Sequence, residues 1–508
     1  MTPESAGTPA SMPEATAADA ERRLHPMSWL FVLLQQLKQF ILPLVAAFFF
    51  GGDRNELWPL IGVGVLALMA VWRYFTYRYG IAGDALVVRS GLLERSLRVI
   101  PFARIHNVAL EQSLLHRVFG VAEVRLESAG GKKPEAEMRV LKMADALALE
   151  ALVRRRGSIV ASPADATSEQ APTLLLALPP GEVLRVGLVS NRGLIVVGAA
   201  IGGLSQFRPR LLPNLVEQWG QSFVIRVSDS GVETAAPSLA LYAIAGVSLV
   251  ALAVLALRVF SVLLALLQYH GFRLTEHARR LTVERGLLAR WRTSASRGRI
   301  QAWTLREGML HRLLGRRSLE VDTAVAEQQN QQRALRELAP IGTPAQCEAL
   351  ILHVLPRSGW TRLEWDPVPM RHWWRLWIVG LPFVGLAAAA LTWQFGPVGL
   401  LALLWLPWSA YAARRHMAST AHATGDQLVA VREGWWHRTW RFAELDKLQA
   451  LELSRGPLDR LCGTATLWLD TSGAAALAPP LRLRFLAHEQ AQALHARLAR
   501  TLARRPLR

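Results

Sequence analysis

The sequence predicts a membrane α+β protein in which three transmembrane helical hairpins, six spans in all, alternate with three small β-barrel or sandwich modules, each closed by a C-terminal helix. Three observations carry this expectation. A Gly…Arg…Gly pattern recurs three times at one spacing, paired apolar stretches precede every copy, and within a copy the apolar period changes from that of strands to that of a helix.

The copies are Gly91, Arg117 and Gly120; Gly286, Arg312 and Gly315; Gly434, Arg460 and Gly463, with the Arg 26 positions after the first glycine and the second glycine three positions later. The segments beginning GLLERSLRVI, GLLARWRTSA and GWWHRTWRFA superimpose without a gap, which argues for one folded unit copied twice.

Composition points to lipid. The chain has 508 residues, 51% of them apolar and 19% charged, a leaner charge content than soluble domains carry. Two cysteines, Cys347 and Cys462, lie in different copies without a metal-binding spacing. The net charge of +19 is spread along the chain, which suits a surface beside anionic headgroups and predicts no nucleic-acid partner.

A span needs roughly 20 apolar residues. Residues 30–50 and 57–77, joined by the loop GGDRNE, form the first predicted pair, with Trp29, Trp58 and Trp72 at the belt positions. In the second pair 238–268 is long enough, with Arg258 placed to snorkel, whereas 194–207 is short and reads as a span or a re-entrant segment. The third pair is 376–395 and 397–413, the latter short enough to demand tilt or local thinning. Basic residues crowd the module-side flanks, among them Arg73, Arg78, Arg192, Arg273, Arg414 and Arg415, so the modules and both termini are expected in the cytoplasm. Residues 1–26 lack a basic start followed by an apolar core and read as a disordered tail.

Within copy one, strand-like runs cover 85–89, 92–100, 104–110, 121–128 and 136–142, and the period then becomes helical over 144–156. Copies two and three close with helices at 344–354 and 488–502. The expected organisation is hairpin 27–78 and module 79–157; a linker at 158–182, rich in Ala, Ser and Pro; hairpin 183–269 and module 270–356; hairpin 357–413 and module 414–508.

A tryptophan-rich hairpin followed by RIHNVALEQSLLHRVFGVAEVRLESAG resembles the bacterial PH-domain membrane proteins of the YdbS/YdbT type, and three copies resemble the longer, YdbT-like members. The resemblance implies PH-like modules, an inner-membrane setting, a smaller PH-domain membrane protein as partner, and a role in envelope stress or antimicrobial-peptide defence. Copy three departs by carrying Asp459 where the others have His116 and His311, and copy two by Arg316 and Arg317 after its second glycine.

The recurring residues divide into two groups. Gly91, Gly286 and Gly434 are expected in turns with positive φ, and Gly120, Gly315 and Gly463 belong to the same structural motif. Arg117, Arg312 and Arg460 each have an acid ten residues on, Glu127, Asp322 and Asp470, which predicts an internal salt bridge that fixes the turn. Arg104, Arg299 and Lys447 recur without an acidic companion and are the candidates for contacting lipid phosphate or an acidic partner. No nucleophile elbow, phosphate loop or metalloprotease motif is present, so no catalytic residue, cofactor or metal ligand is expected. The leading expectation is a non-enzymatic scaffold whose modules bind proteins or anionic headgroups. The alternative is a transporter, for which Lys38, about two turns into the first span, is the residue to test.

Overall fold

The computed structural model describes residues 77–90, 96–102, 105–128, 136–157, 172–207, 239–323, 335–471 and 480–504, with parts of 22–34 and 62–76 and positions 214, 218 and 222. Each copy contributes seven strands. Copy one has β1 (Arg22–Arg23), β2 (Arg78–Ala82), β3 (Ala85–Ser90), β4 (Ser96–Pro101), β5 (Ile105–Gln112), β6 (Val121–Ser128) and β7 (Ala136–Lys142). Copy two has β8 (Thr173–Ala177), β9 (Arg273–His277), β10 (Arg280–Arg285), β11 (Arg290–Ser296), β12 (Ile300–Glu307), β13 (Arg317–Thr323) and β14 (Glu337–Gly342). Copy three has β15 (Asp366–Pro367), β16 (Ala421–Thr424), β17 (Leu428–Glu433), β18 (Arg438–Glu444), β19 (Leu448–Ser454), β20 (Thr464–Thr471) and β21 (Arg482–Ala487).

Period-two patterning builds these strands. In β10, Leu281 and Val283 turn inward while Thr282 and Glu284 face out. Gly286 and Gly434 turn the chain into the next strand at φ +113° and +88°, and a Cβ there would lie 1.9 Å from the Ala289 carbonyl oxygen and 2.1 Å from that of His437. Gly434→Ala is therefore expected to destabilise the chain by more than about 1 kcal/mol, measured as a lower midpoint of thermal unfolding in detergent. Gly91 lies outside the described residues.

The strand before each apolar pair expected from the sequence pairs antiparallel with the strand after it: β1 with β2, β8 with β9, β15 with β16. Each such pair of strands brings together the two chain segments that flank an apolar pair. This corrects two expectations. Arg22–Arg23, assigned to a disordered tail, forms β1, and the linker assigned to 158–182 contains β8 and the start of the helix Pro180–Val189, because both segments complete the sheet at the foot of a hairpin.

Among the described residues, Gly246–Tyr269, Met370–Gln394 and Gly396–Ser419 are long and apolar enough to cross a membrane. Pro180–Val189 and Arg192–Gly203, bent by 55° at the break, would make a fourth span if they act as one. The first pair lies largely outside the described residues, so six spans is not the count seen here. The last span is longer than the sequence suggested. Its 3-10 stretch Gly396–Leu404 rises about 2.0 Å per residue, against 1.5 Å in an α-helix, and the helix Trp405–Ser419 continues beyond residue 413.

Two kinds of sheet make up each module. The four strands before the turn glycine and at its far side form one, and the three later strands form the other, with a helix packed over them: Met143–Gly157, Pro344–Val354 or His488–Ala503. Pro344 opens its helix, and Thr343 and Gln346 exchange side-chain to backbone hydrogen bonds of 3.2 and 2.9 Å there. The sheets do not stop at module boundaries. β5 pairs with β11 and β12 with β18, giving two seven-stranded sheets, β7-β6-β5-β11-β10-β9-β8 and β14-β13-β12-β18-β17-β16-β15. One apolar core runs from Leu274, Trp303 and Ile341 of module two into Leu428, Trp440 and Phe442 of module three.

Candidate functional site: the seams between modules

In the first two copies the repeated arginine belongs to these seams. In each copy a short helix, Leu114–Val118, Met309–Leu313 or Pro457–Cys462, follows the first strand of the three-stranded half and carries that arginine. Arg117 donates through Nη1 to the Leu287 carbonyl oxygen in the turn of the next module, at 2.9 Å. Arg312 donates in the same way to the carbonyl oxygens of Trp435 and Trp436, the latter at 2.8 Å. The internal pairing expected for Arg312 and Asp322 is not made: Asp322 turns to the following module, and Arg312 to Glu307 of its own module and to the turn across the seam. Asp322 lies 2.6 Å from Nη1 of Arg441 on β18, both buried, while Arg312 approaches Glu307 at 3.7 Å. The spacing was misleading because Asp322 and the arginine face different partners in the following module. Glu127's side chain lies outside the described residues, and Asp470 is exposed.

The headgroup candidates are placed differently. Lys447 donates to the Gly298 carbonyl oxygen at 3.0 Å, joining module three to the 3-10 turn Arg297–Arg299 of module two. Arg299 ends that turn half-buried, and burial pushes its pKa down to about 10. Arg104 lies outside the described residues. Gly120, Gly315 and Gly463, at φ +64°, +62° and +65°, end the short helices.

The family match follows the same units. The bacterial PH domain family matches residues 31–157, 231–351 and 377–502. The chain belongs to that family. The UPF0699 transmembrane protein YdbT of Bacillus subtilis (strain 168) is 22% identical over 343 residues, which cover 63% of this chain and 66% of the relative. The chain thus spans about two thirds of the length of the curated relative it matches. No solved structure matches it. The chain is a membrane protein with three bacterial PH domains, and each matched stretch takes in apolar residues ahead of its module.

In modules one and three, one equivalent position ties the PH module to the segment that leads into its own hairpin. His116, His311 and Asp459 occupy equivalent places in the short helices. The His116 ring packs on Phe31 with centroids 4.2 Å apart. The Asp459 carboxylate accepts from Arg375 at 2.7 Å, from the Thr464 hydroxyl at 2.8 Å and from the Gly456 backbone N–H at 3.0 Å. Burial alone would raise the Asp459 carboxyl; the hydrogen bonds from Arg375, Thr464 and Gly456 hold it below the usual carboxylate range. The His-to-Asp departure in copy three is therefore matched by the arginine at the entry of the third hairpin.

Module two has a lock of its own that sequence reasoning missed. The Glu337 carboxylate on β14 accepts from Tyr269 and Arg285, both at 2.6 Å, and from Arg192. Burial would raise its carboxyl, but the Arg192 and Arg285 guanidiniums hold it below its ordinary value. Arg316 donates to both oxygens of Glu182, at 2.8 and 3.1 Å. Arg258 reaches the helix break, donating to the Leu188 and Ser190 carbonyl oxygens at 3.0 and 3.3 Å, so it caps backbone instead of extending to the headgroups. A cavity of about 660 Å³ lies between these groups and the turn of module three, lined by Arg192, Arg258, His311, Glu320, Glu337 and His437 among others. Its acids are already engaged, Glu320 with Arg306 at 3.3 Å and Glu337 as above. Burial lowers the His311 pKa, only partly opposed by Glu307. Among the described residues no cluster of His, Cys, Asp and Glu is arranged to hold a metal.

Proposed function

We propose that the chain is a non-catalytic scaffold that presents three fused PH modules on the cytoplasmic face of a bacterial inner membrane and holds partner proteins there. The observation that carries this reading is the continuity of the sheets across modules. β5 with β11 and β12 with β18 turn three tethered domains into one platform, and buried polar locks fix the second and third modules to their hairpins. A platform of that kind keeps several weak docking positions at high effective concentration. Protein partners are favoured over anionic headgroups because Lys447 is spent on a contact between modules and Arg299 is half-buried beside it. A smaller membrane protein with the same PH unit, by the likeness to YdbT-type proteins, is the partner class to look for, and envelope defence the setting.

The test uses the full chain. Purified from native membranes in mild detergent, it is expected to retain a second protein in fixed stoichiometry, and in sealed vesicles to move neither solute nor lipid. Directional flux that Lys38→Ala abolishes would replace the scaffold with the transporter alternative.

A further inference from the structure

The seams are made twice by one rule, and the two ends of the series are left unmade. In the first seam Leu110 faces Arg292, Ala109 faces Thr293 and Val108 faces Ser294. In the second Leu305 faces Trp440, Thr304 faces Arg441 and Trp303 faces Phe442. Counted from the turn glycines, the register is the same in both. β19 is the counterpart of β5 and β12, and β4 the counterpart of β11 and β18, yet among the described residues β19 pairs only with β20 and β4 only with β3. Each is the outer strand of its sheet. Unpaired edges of this sort are templates for another strand, and natural proteins usually protect them.

Burial records the missing neighbours. Val108, Ala109 and Leu110 are buried, as are Trp303, Thr304 and Leu305, but their counterparts Leu451 and Leu453 are half-buried and Glu452 is exposed. On the other edge Trp440, Arg441 and Phe442 are buried, whereas Leu97, Arg98 and Val99 are all exposed. Applying the observed register to the two ends sets Leu97 opposite Leu453, Arg98 opposite Glu452 and Val99 opposite Leu451. Two apolar pairs then flank one pair of opposite charge, the combination that favours cross-strand pairing. Arg98 also holds the place of Arg441, which reaches Asp322, and the place of Asp322 is held in module three by exposed Asp470. Arg460 is exposed and its side chain makes no hydrogen bond or ion pair among the described residues, while the side chains of its counterparts Arg117 and Arg312 each donate to the turn of the module that follows.

We infer that the β19 edge of one chain pairs antiparallel with the β4 edge of a second copy of this chain, extending the run of modules from molecule to molecule in one membrane. The inference deepens the scaffold reading and rests on it for the placement of modules along the bilayer. The contact is heterologous, since two different edges meet, so it produces a ring where the rotation closes and an open row where it does not. A third seam of the same register adds the next chain in the same sense as the two existing seams add successive modules.

Cross-linking of the full chain in its membrane tests this. Two tagged forms, one with Leu97→Cys and the other with Leu453→Cys, both in a Cys462→Ser background, are co-expressed and oxidised. The expected product is a disulfide-linked dimer carrying both tags, several-fold above the yield from Leu97→Cys with Arg497→Cys, an exposed position on the last helix. Arg98→Glu or Glu452→Arg alone is expected to lower that yield several-fold, and the two together to restore it. A yield no higher than the Arg497→Cys control, or insensitivity to the charge exchange, overturns the inference. So does a Leu453→Cys adduct formed only within its own chain or only with a different protein. If these failures occur while a stoichiometric protein partner is still retained, the scaffold reading stands and self-assembly through the edges falls.

Discussion

Replacing Glu337 with alanine is expected to lower the unfolding temperature of the detergent-solubilised chain by on the order of 10 °C, from a loss of about 3–5 kcal/mol. The carboxylate is the single acceptor shared by Arg285, Arg192 and Tyr269, and its side chain and that of Arg285 are only 15% and 13% exposed. Alanine takes from the Arg285 guanidinium a carboxylate that water replaces poorly at this depth, and frees β14 from the end of the long helix Leu239–Tyr269. Glu337→Gln keeps an acceptor for the Tyr269 hydroxyl but loses the charge, so it should fall between wild type and alanine. The same carboxylate makes stability depend on pH. Its folded pKa lies below the unfolded value of about 4.3, so its contribution is complete at neutral pH and is lost as the pH falls through the folded value. A melting temperature that drops less steeply below about pH 4.3 in Glu337→Gln than in wild type would identify the group.

Why that lock escaped the sequence is instructive. Positions 192, 269, 285 and 337 come from the start of an apolar helix, a span end and two strands, and they occur together in one copy only, so neither spacing nor repetition marks them. Repetition does reveal the modules: runs 121–128 and 136–142 coincide with β6 and β7, and the helix at 344–354 with the observed one. It reveals nothing about which edge meets which, because period two fixes the faces of a strand and leaves its neighbours open. The short strands β1 and β15 have two residues each, too few to show a period, and β8 meets β9 across almost the full length of a span pair. Arg312 and Asp322 show the converse failure. Their ten-residue spacing is real and recurs, but each side chain points to a different group in the next module, and a pattern within one copy cannot distinguish shared surroundings from mutual contact. Asp459 was the most legible clue left unused. A repeat that trades His for Asp at one position calls for a cation, and Arg375, just inside the third hairpin, supplies it.

Removal of Arg441 should be the most damaging change at a seam, costing about 3–5 kcal/mol, because it leaves Asp322 buried beside the apolar core without its counter-charge. The side chains are 5% and 6% exposed, and Arg441 also donates to the Thr304 hydroxyl at 2.7 Å, so solvent cannot take over either contact. Arg441 sits on module three and Asp322 on module two, which gives the cost a directional meaning. If the continuous sheet makes the two modules one cooperative unit, Arg441→Ala lowers a single transition that both report, and a double-mutant cycle with Asp322→Ala returns a coupling of 0.5–3 kcal/mol, roughly the range for residues in contact. If the modules are merely adjacent, the variant separates the transition into two, with tryptophan fluorescence from Trp303 and Trp440 changing at different temperatures. The double variant is the sharper probe. Removing both charges eliminates the stranded carboxylate, so Arg441→Ala with Asp322→Ala should be more stable than Arg441→Ala alone, and a double variant no better than that single one would mean that the pair does not carry the seam.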